Sequence, residues 1–249
     1  GALHAGHQSL ISKAREVCDE VVVSVFVNPL QFEDKDDLEK YPRTPERDFE
    51  LAREAGATIL WRPEYETIYP HDINRLTSGE LGSKFEGVHR LGHFDGVLTV
   101  VNRLFDLVKP RYAIFGEKDF QQLFLITHMA AQLHPEVEII AAPTIRETSG
   151  LAMSSRNVRL SPEARSAADV ISKVLRNAAA QDSLDSAHGK LNEITDAPLF
   201  SLDYAEIIDE ETFEIATDET SKRRAIIAGW IDGVRLIDNM AMKSALVRA

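Results

Sequence analysis

The run Glu20-Val-Val-Val-Ser-Val-Phe-Val27 decides the fold class. Five valines and a phenylalanine leave no alternating polar face. Such a run is expected of a strand covered on both sides, as in a parallel sheet with helices above and below. Asn28-Pro29 breaks it, and a polar loop continues to Phe32. In open α/β sheets, ligands bind beyond the carboxyl ends of the strands. Asn28 and Gln31 are therefore candidate substrate contacts. Position alone is equally met by ordinary Asn-Pro turn chemistry and a solvated glutamine.

Upstream of that run, Leu10, Ile11, Ala14, Val17 and Cys18 recur at helical spacing. The expected helix is led by Gly1-Ala-Leu-His-Ala-Gly-His7, so His4 and His7 lie at or just before its first turn. A helix N-terminus offers unpaired N–H groups and the positive end of the macrodipole. Glycine lets a bulky anion come close. The corner reads as a phosphate site with two imidazole donors. A histidine pair at this spacing also suits a metal or a solvated face, but no Cys or His cluster follows that would complete a metal site. The motif stands at the start of the sequence with no strand ahead of it, and an upstream segment is expected.

Downstream the same layout returns. Asp34 to Lys40 reads as a solvated charged loop. Thr44 is the expected N-cap of a helix with Pro45 at its first position and Gly56 just past its end. Ala57 to Trp61 follows as a second strand, giving a βαβ rhythm. A core-facing helix starts near Phe94 or Asp95, carries Val97, Val100, Val101, Leu104, Leu107 and Val108, and stops at Lys109-Pro110. His93, at its start, suits a catalytic role or, at least equally, that of a structural histidine at a helix start. Arg111 to Phe115 is a third strand, opening into Gly116-Glu117-Lys118-Asp119 and the helix Phe120 to Leu133. Lys118 is a point charge suited to phosphate, although the P-loop pattern is missing. Gln121 and Gln122 fall on different helix faces, so at most one enters a site. Val137 to Ala142 is a fourth strand. Gly150 to Asn157 then brings Ser154, Ser155 and Arg156 onto one loop, two hydroxyls and a guanidinium that suit a triphosphate tail.

Composition shifts near Asn157 toward Ala, Ser and Asp. This places a Rossmann-like α/β domain over 1–157 and a small α+β domain over 158–249. The second begins with a long helix capped by Ser161-Pro162-Glu163. Its strands are expected at Ser201 to Ile208, Arg224 to Ile231 and Val234 to Ile237, the last two joined by the hairpin signal Asp232-Gly233.

With 249 residues, 44% of them hydrophobic, the chain can bury a sizeable core. No apolar run reaches membrane-spanning length. The net charge is −12, from 28 basic and 40 acidic residues. Nucleic acid and anionic membranes, which select basic surfaces, are not expected partners. The single cysteine, Cys18, allows no intramolecular disulfide, fits a reducing compartment and sits on an apolar stripe as a small core residue. The recurring phosphate-compatible groups point to an ATP-using α/β enzyme.

Gly1-Ala-Leu-His-Ala-Gly-His7 resembles the HIGH motif of nucleotidylyl transferases. The larger set is similar to the pantothenate synthetase family, the pantoate–β-alanine ligases. The matching segments are Phe26-Val-Asn-Pro-Leu-Gln-Phe32, Tyr41-Pro-Arg-Thr44, Gly92-His-Phe-Asp-Gly-Val97, Phe115-Gly-Glu-Lys-Asp-Phe-Gln-Gln122, Met153-Ser-Ser-Arg-Asn157 and Arg235-Leu-Ile-Asp-Asn239. They run in order over nearly the whole chain. The resemblance implies ligation of pantoate to β-alanine through a pantoyl adenylate, with ATP as substrate, Mg²⁺, a cytoplasmic homodimer and a C-terminal lid domain. It implies His7, His4 and Lys118 as catalytic. It assigns ATP to Gly1, Ala2, Leu3, His4, Gly6, His7, Gly116, Glu117, Lys118, Asp119, Ile145, Met153, Ser154, Ser155 and Arg156. It assigns the pantoate and β-alanine site to Gln31 and Gln122, and leaves the metal ligands open. Two departures stand out: Leu91 replaces a frequent proline, and the Met153 loop lacks the lysines of the synthetase KMSKS loop. The competing readings are a dinucleotide-forming adenylyl transferase, which needs extra basic groups for an acceptor phosphate, and a nucleotide-binding module without catalysis.

Overall fold

The computed structural model describes residues 1–32, 38–39 and 41–243. Most of the charged loop expected from Asp34 to Lys40 lies outside the described residues. The chain divides into two compact units, Gly1–Pro143 and Thr144–Ala249.

The first unit is built from parallel pairs and the helices around them. Helix α1 (Ala5–Val17) buries Ile11 and Ala14, and strand β1 (Val22–Ser24) follows. Helix α2 (Pro45–Glu54) ends before Gly56, whose φ of +100° is the left-handed stop foreseen at that position. Strand β2 (Ile59–Trp61) runs parallel to β1 in the register Val22↔Ile59 to Ser24↔Trp61. Short helices α3 (Tyr65–Ile68) and α4 (Glu86–His89) lead into α5 (His93–Val108). Strand β3 (Tyr112–Gly116), helix α6 (Phe120–Leu133) and strand β4 (Glu138–Ala142) complete the unit. β3 and β4 pair in parallel from Tyr112↔Glu138 to Gly116↔Ala142. The apolar stripes of α5 and α6 meet in one core with Phe94, Val97, Val101, Ile126 and Met129.

The expected strand over 20–27 is shorter and less covered than its composition implied. The strand proper covers only Val22–Ser24, with Val21 and Val25 extending its hydrogen bonds to Ile59 and Trp61 by one residue at each end, and Val22 is exposed. The β1–β2 and β3–β4 ladders are separate two-stranded sheets, with a groove of about 530 Å³ lined by residues of both, among them Val21, Val23, Ala113 and Phe115. Cys18 is partly buried beside the Ile11 cluster, as expected of a small packing residue.

The second unit carries α7 (Pro162–Ala179), α8 (Leu184–Asn192) and the antiparallel sheet β5 (Ser201–Asp209), β6 (Arg223–Ile231) and β7 (Val234–Ala241). Ser161 Oγ accepts from the Ala164 amide at 3.2 Å, capping α7. Ala164, Ala168, Ile171, Leu175 and Ala178 then recur on one helical face and bury it against Ile207, Ile227 and Leu236. Asp232 and Gly233 both have positive φ, 52° and 68°, the two-residue hairpin turn foreseen between β6 and β7.

Candidate active site

The opening motif folds as an imidazole-capped helix start. His4 is the N-cap of α1, and its Nδ1 accepts from the Gly6 amide at 3.1 Å. His7 Nδ1 accepts in turn from the His4 amide at 3.3 Å, closing a reciprocal capping box. A ring nitrogen that accepts cannot carry the proton, so both neutral rings are Nε2–H tautomers. The ring centroids are 4.0 Å apart. Burial, then the neighbouring His4, pushes the His7 imidazole down to about 4. Burial and the Lys118 ammonium also lower His4. At neutral pH these are two uncharged N–H donors.

The backbone contributes less to the corner than a bare helix N-terminus would. The His4 and Gly6 amides are taken by the two rings. The His7 and Gln8 amides bind the His4 carbonyl at 2.8 and 3.0 Å. The Ala2 and Leu3 amides bind the Asp48 carboxylate at 3.0 and 2.7 Å. The side-chain donors that the opening motif itself brings to this corner are the ring Nε2–H groups.

Gly116 ends β3, and Glu117–Asp119 forms a 3₁₀ turn before α6. Leu10 of α1 lies 3.8 Å from where a Gly116 Cβ would stand, so this turn packs beside the opening helix. Lys118 is close enough to depress His4, and Asp119 close enough to oppose the depression of His7. The structure thus brings His4, His7, Lys118 and Asp119 together. Lys118 Nζ stands 3.9 Å from Asp119 Oδ2.

Gln31 sits in the 3₁₀ turn Pro29–Gln31, on a shelf held by Asn28. Asn28 is 2% exposed. It donates to Gln31 Oε1 and the Gly96 carbonyl, and accepts from the Leu30 amide and Tyr69 Oη. All four of its hydrogen-bonding positions are used internally, so it positions Gln31. Gly96 makes this possible, because a Cβ there would run into the Leu30 carbonyl. His93 Nδ1 lies 2.9 Å from the Gln31 carbonyl, and burial, then Arg90, pushes its ring down to about 4. Asp119 acts on both His7 and His93, so the glutamine shelf and the histidine corner share one electrostatic neighbourhood. His93, which the sequence leaves open between a catalytic and a structural role, thus supports the backbone of a candidate substrate residue.

The two adjacent glutamines separate as expected from their helix faces. Gln121 is buried, donates to the Leu81 and Lys84 carbonyls and accepts from the Glu86 amide, clamping that segment. Gln122 is only partly buried and makes no side-chain hydrogen bond to the described residues.

In the second unit, residues 145–157 form a pinned loop. The Met153 amide donates to the Ile145 carbonyl at 2.9 Å, and Arg146 and Ala152 form an antiparallel bridge, so Ile145 and Met153 lie side by side. Ser154 Oγ accepts from the Arg156 amide at 3.2 Å and caps the 3₁₀ turn Ser155–Arg159. Asn157 is buried and donates to Glu147 Oε1 and the Ala152 carbonyl. Arg165 holds the same carboxylate at 2.7 Å. Burial would raise the Glu147 carboxyl, but the bonds from Arg165 and Asn157 hold it below its ordinary range. Leu91, the departure from the family pattern, is 68% exposed, a surface position where the exchange for proline disturbs no core.

Among the described residues, no group of three or more His, Cys, Asp or Glu side chains could hold a metal ion. No described helix is long and apolar enough to cross a membrane. Sequence reasoning missed Asp48. Its partners are about 45 residues away, and only a plain Thr-Pro helix start precedes it.

Comparison with known proteins places the chain in a family. The family model for pantoate-beta-alanine ligase matches residues 1–241. The pantothenate synthetase of Acidothermus cellulolyticus is 44% identical over 255 residues, covering 98% of this chain and 84% of that protein. That of Thermobifida fusca is 42% identical over 257 residues, covering 97% and 87%. Among solved structures, the pantothenate synthetase from Thermus thermophilus superposes with a TM-score of 0.89 at 42% identity, covering 98% of this chain and 91% of that one. The Francisella tularensis pantoate-beta-alanine ligase, complexed with beta-gamma ATP and beta-alanine, gives 0.80 at 35% identity, with 97% and 86% covered. This chain belongs to the pantoate–β-alanine ligase family, enzymes that join pantoate to β-alanine.

Proposed function

We propose that the chain makes pantothenate in two steps through a pantoyl adenylate. In the first, a pantoate carboxylate oxygen bonds to the α-phosphorus of ATP, and the bond from that phosphorus to the bridging oxygen breaks to release pyrophosphate. In the second, the free amine of β-alanine bonds to the acyl carbon, AMP leaves, and the amine proton passes to solvent. The observation that carries the reading is the pair of inward-accepting imidazoles beside Lys118. Displacement at phosphorus needs positioning and charge stabilisation more than covalent help. Two fixed Nε2–H donors and an ammonium supply that where charge builds on the phosphate oxygens.

The remaining residues take supporting roles in this proposal. The backbone of Gly1, Ala2, Leu3 and Gly6 and the Gly116–Asp119 turn border the ATP phosphates. Ser154, Ser155 and Arg156 add hydroxyl and guanidinium donors, and Ile145 and Met153 offer apolar contact to the nucleotide. Gln31 and Gln122 hold pantoate, the second because its amide is still available for a ligand. Mg²⁺ belongs with the substrate. It is a hard cation that seeks oxygen, and the corner offers two imidazoles and an ammonium, so the ion enters on the ATP phosphates. The functional division assigns ATP and pantoate binding to 1–157 and a lid role to 158–249. A cytoplasmic homodimer completes the proposal.

Product analysis tests it. With ATP, pantoate and β-alanine, AMP and pyrophosphate should form in equal amounts with pantothenate. ADP and inorganic phosphate would overturn the adenylate route.

A further inference from the structure

We infer that Asp48 is a positioning residue for the His4–His7 pair, fixing the backbone that leads into α1 and supplying a negative charge that His7 faces. The inference rests on the role proposed for His7. Asp48 lies near the start of α2 and is 1% exposed. Its Oδ2 accepts from the Ala2 amide at 3.0 Å, and its Oδ1 accepts from the Leu3 amide at 2.7 Å and from Thr44 Oγ1 at 2.9 Å. Thr44, the expected N-cap of α2, makes no cap bond with its hydroxyl, which is turned onto Asp48 instead.

The segment it holds is one that does not hold itself. Ala2 has φ of +57°, a left-handed conformation that a residue with a Cβ adopts only under constraint. Leu3 then packs against the Ile11 cluster, and His4 follows directly as the N-cap. The direction in which His4 enters the capping box is therefore set two residues earlier, by a carboxylate from another helix.

The charge acts by a second route. Among the described residues, the groups facing His7 are His4 at the N-cap of the same helix, Asp48 from α2 and Asp119 from the turn after β3. Lys118 bears on His4. Among the described residues, Asp48 and Asp119 are the ones that favour protonated His7. A neutral amide at position 48 removes one of those two charges. It also presents an NH₂ group to amides that need an acceptor, leaving a buried donor unpaired.

The test is Asp48→Asn in the full chain, with two readouts. The first is nitrogen NMR of the His7 ring across pH. The second is pantoate-dependent exchange of pyrophosphate into ATP. We expect the His7 midpoint to move below about 4, and exchange to slow about a hundredfold, the scale of a misplaced catalytic group. The ATP KM should change less than the rate. A folded Asp48→Asn protein with the wild-type His7 midpoint and wild-type exchange overturns the inference. If the wild type itself gives no exchange, the adenylate reading fails, and the NMR midpoint alone still decides for or against Asp48. If Asp48→Asn does not fold, Thr44→Val removes one hydrogen bond from Asp48 and keeps its charge. Exchange should then slow severalfold, and wild-type exchange in that variant would overturn the inference.

Discussion

The Gly1–His7 corner and the Ile145–Asn157 loop both present groups suited to phosphate; Asp48 ties back the first, while Glu147 and, through Arg146, Asp238 tie back the second. Asp48 is buried and bonds to backbone amides, so it fixes the path of the chain. Glu147 bonds to side chains, Asn157 and Arg165, and Arg165 is itself half exposed. In the corner, each histidine is further locked by its own Nδ1 acceptor bond, which leaves one orientation and one tautomer. In the loop, the Glu147–Arg165 pair beneath Ser155 and Arg156 reaches solvent, while the Arg146–Asp238 pair is largely buried. The difference teaches where sensitivity should lie. Changes in the corner should be large and indifferent to salt. Changes at the loop's Glu147–Arg165 pair should be smaller and screened, because exposed pairs contribute little and weaken with ionic strength.

The largest effect is expected at His7. His7→Ala should slow adenylate formation by about 10²–10³-fold, the scale of losing one oxyanion donor. ATP affinity, measured by calorimetry, should change only a few-fold. Equal losses in both would show that His7 serves binding.

The next effect separates the histidines from the loop by pH. His7 and His93 have folded values near 4, below the 6.5 of an unfolded histidine. The unfolded state therefore binds more protons between pH 6.5 and 4. The stability from keeping these rings neutral is present above 6.5 and is lost as pH falls through about 4. The loss should be on the order of a few kcal/mol. Urea unfolding of the wild type and of a variant with both histidines replaced by glutamine checks the sign. A double variant as acid-sensitive as the wild type in this window would contradict it.

Gly96→Ala comes third. The added methyl meets the Leu30 carbonyl and must shift the Pro29–Gln31 turn. A stability loss of about 1–3 kcal/mol is expected from overpacking, with the pantoate KM raised more than the ATP KM. Equal rises would detach the turn from pantoate. Glu147→Gln should give the smallest change, an ATP KM raised a few-fold at low salt. The gap from wild type should close in concentrated salt, and a gap that persists would make the loop as rigid as the corner.

The same contrast explains what is legible in the sequence. β3 and β4 can be read to within a residue because each is a mostly apolar run stopped by a change of chemistry, at Gly116 and Pro143. The Asp232-Gly233 turn is legible because its positive φ values need those residue types. The Glu20–Val27 run promises more strand than forms, since composition reports a preference for extension but not the neighbours that sustain it. His4 and His7 are visible as a pair. Their reciprocal caps are not, because imidazole is a rare capping group. Gln122 stands out beside Gln121 only through the family resemblance; helix phase alone admits one of the two. Asp48 and the Asn28 hub depend on partners far along the chain, and no local pattern announces them.

The most direct measurement is exchange of labelled pyrophosphate into ATP, with Mg²⁺ present and β-alanine omitted. The account predicts exchange that requires pantoate, since the first step must reverse without the amine. Formation of pantothenate from the same protein with no such exchange, when β-alanine is withheld, would contradict an adenylate formed before the amine arrives.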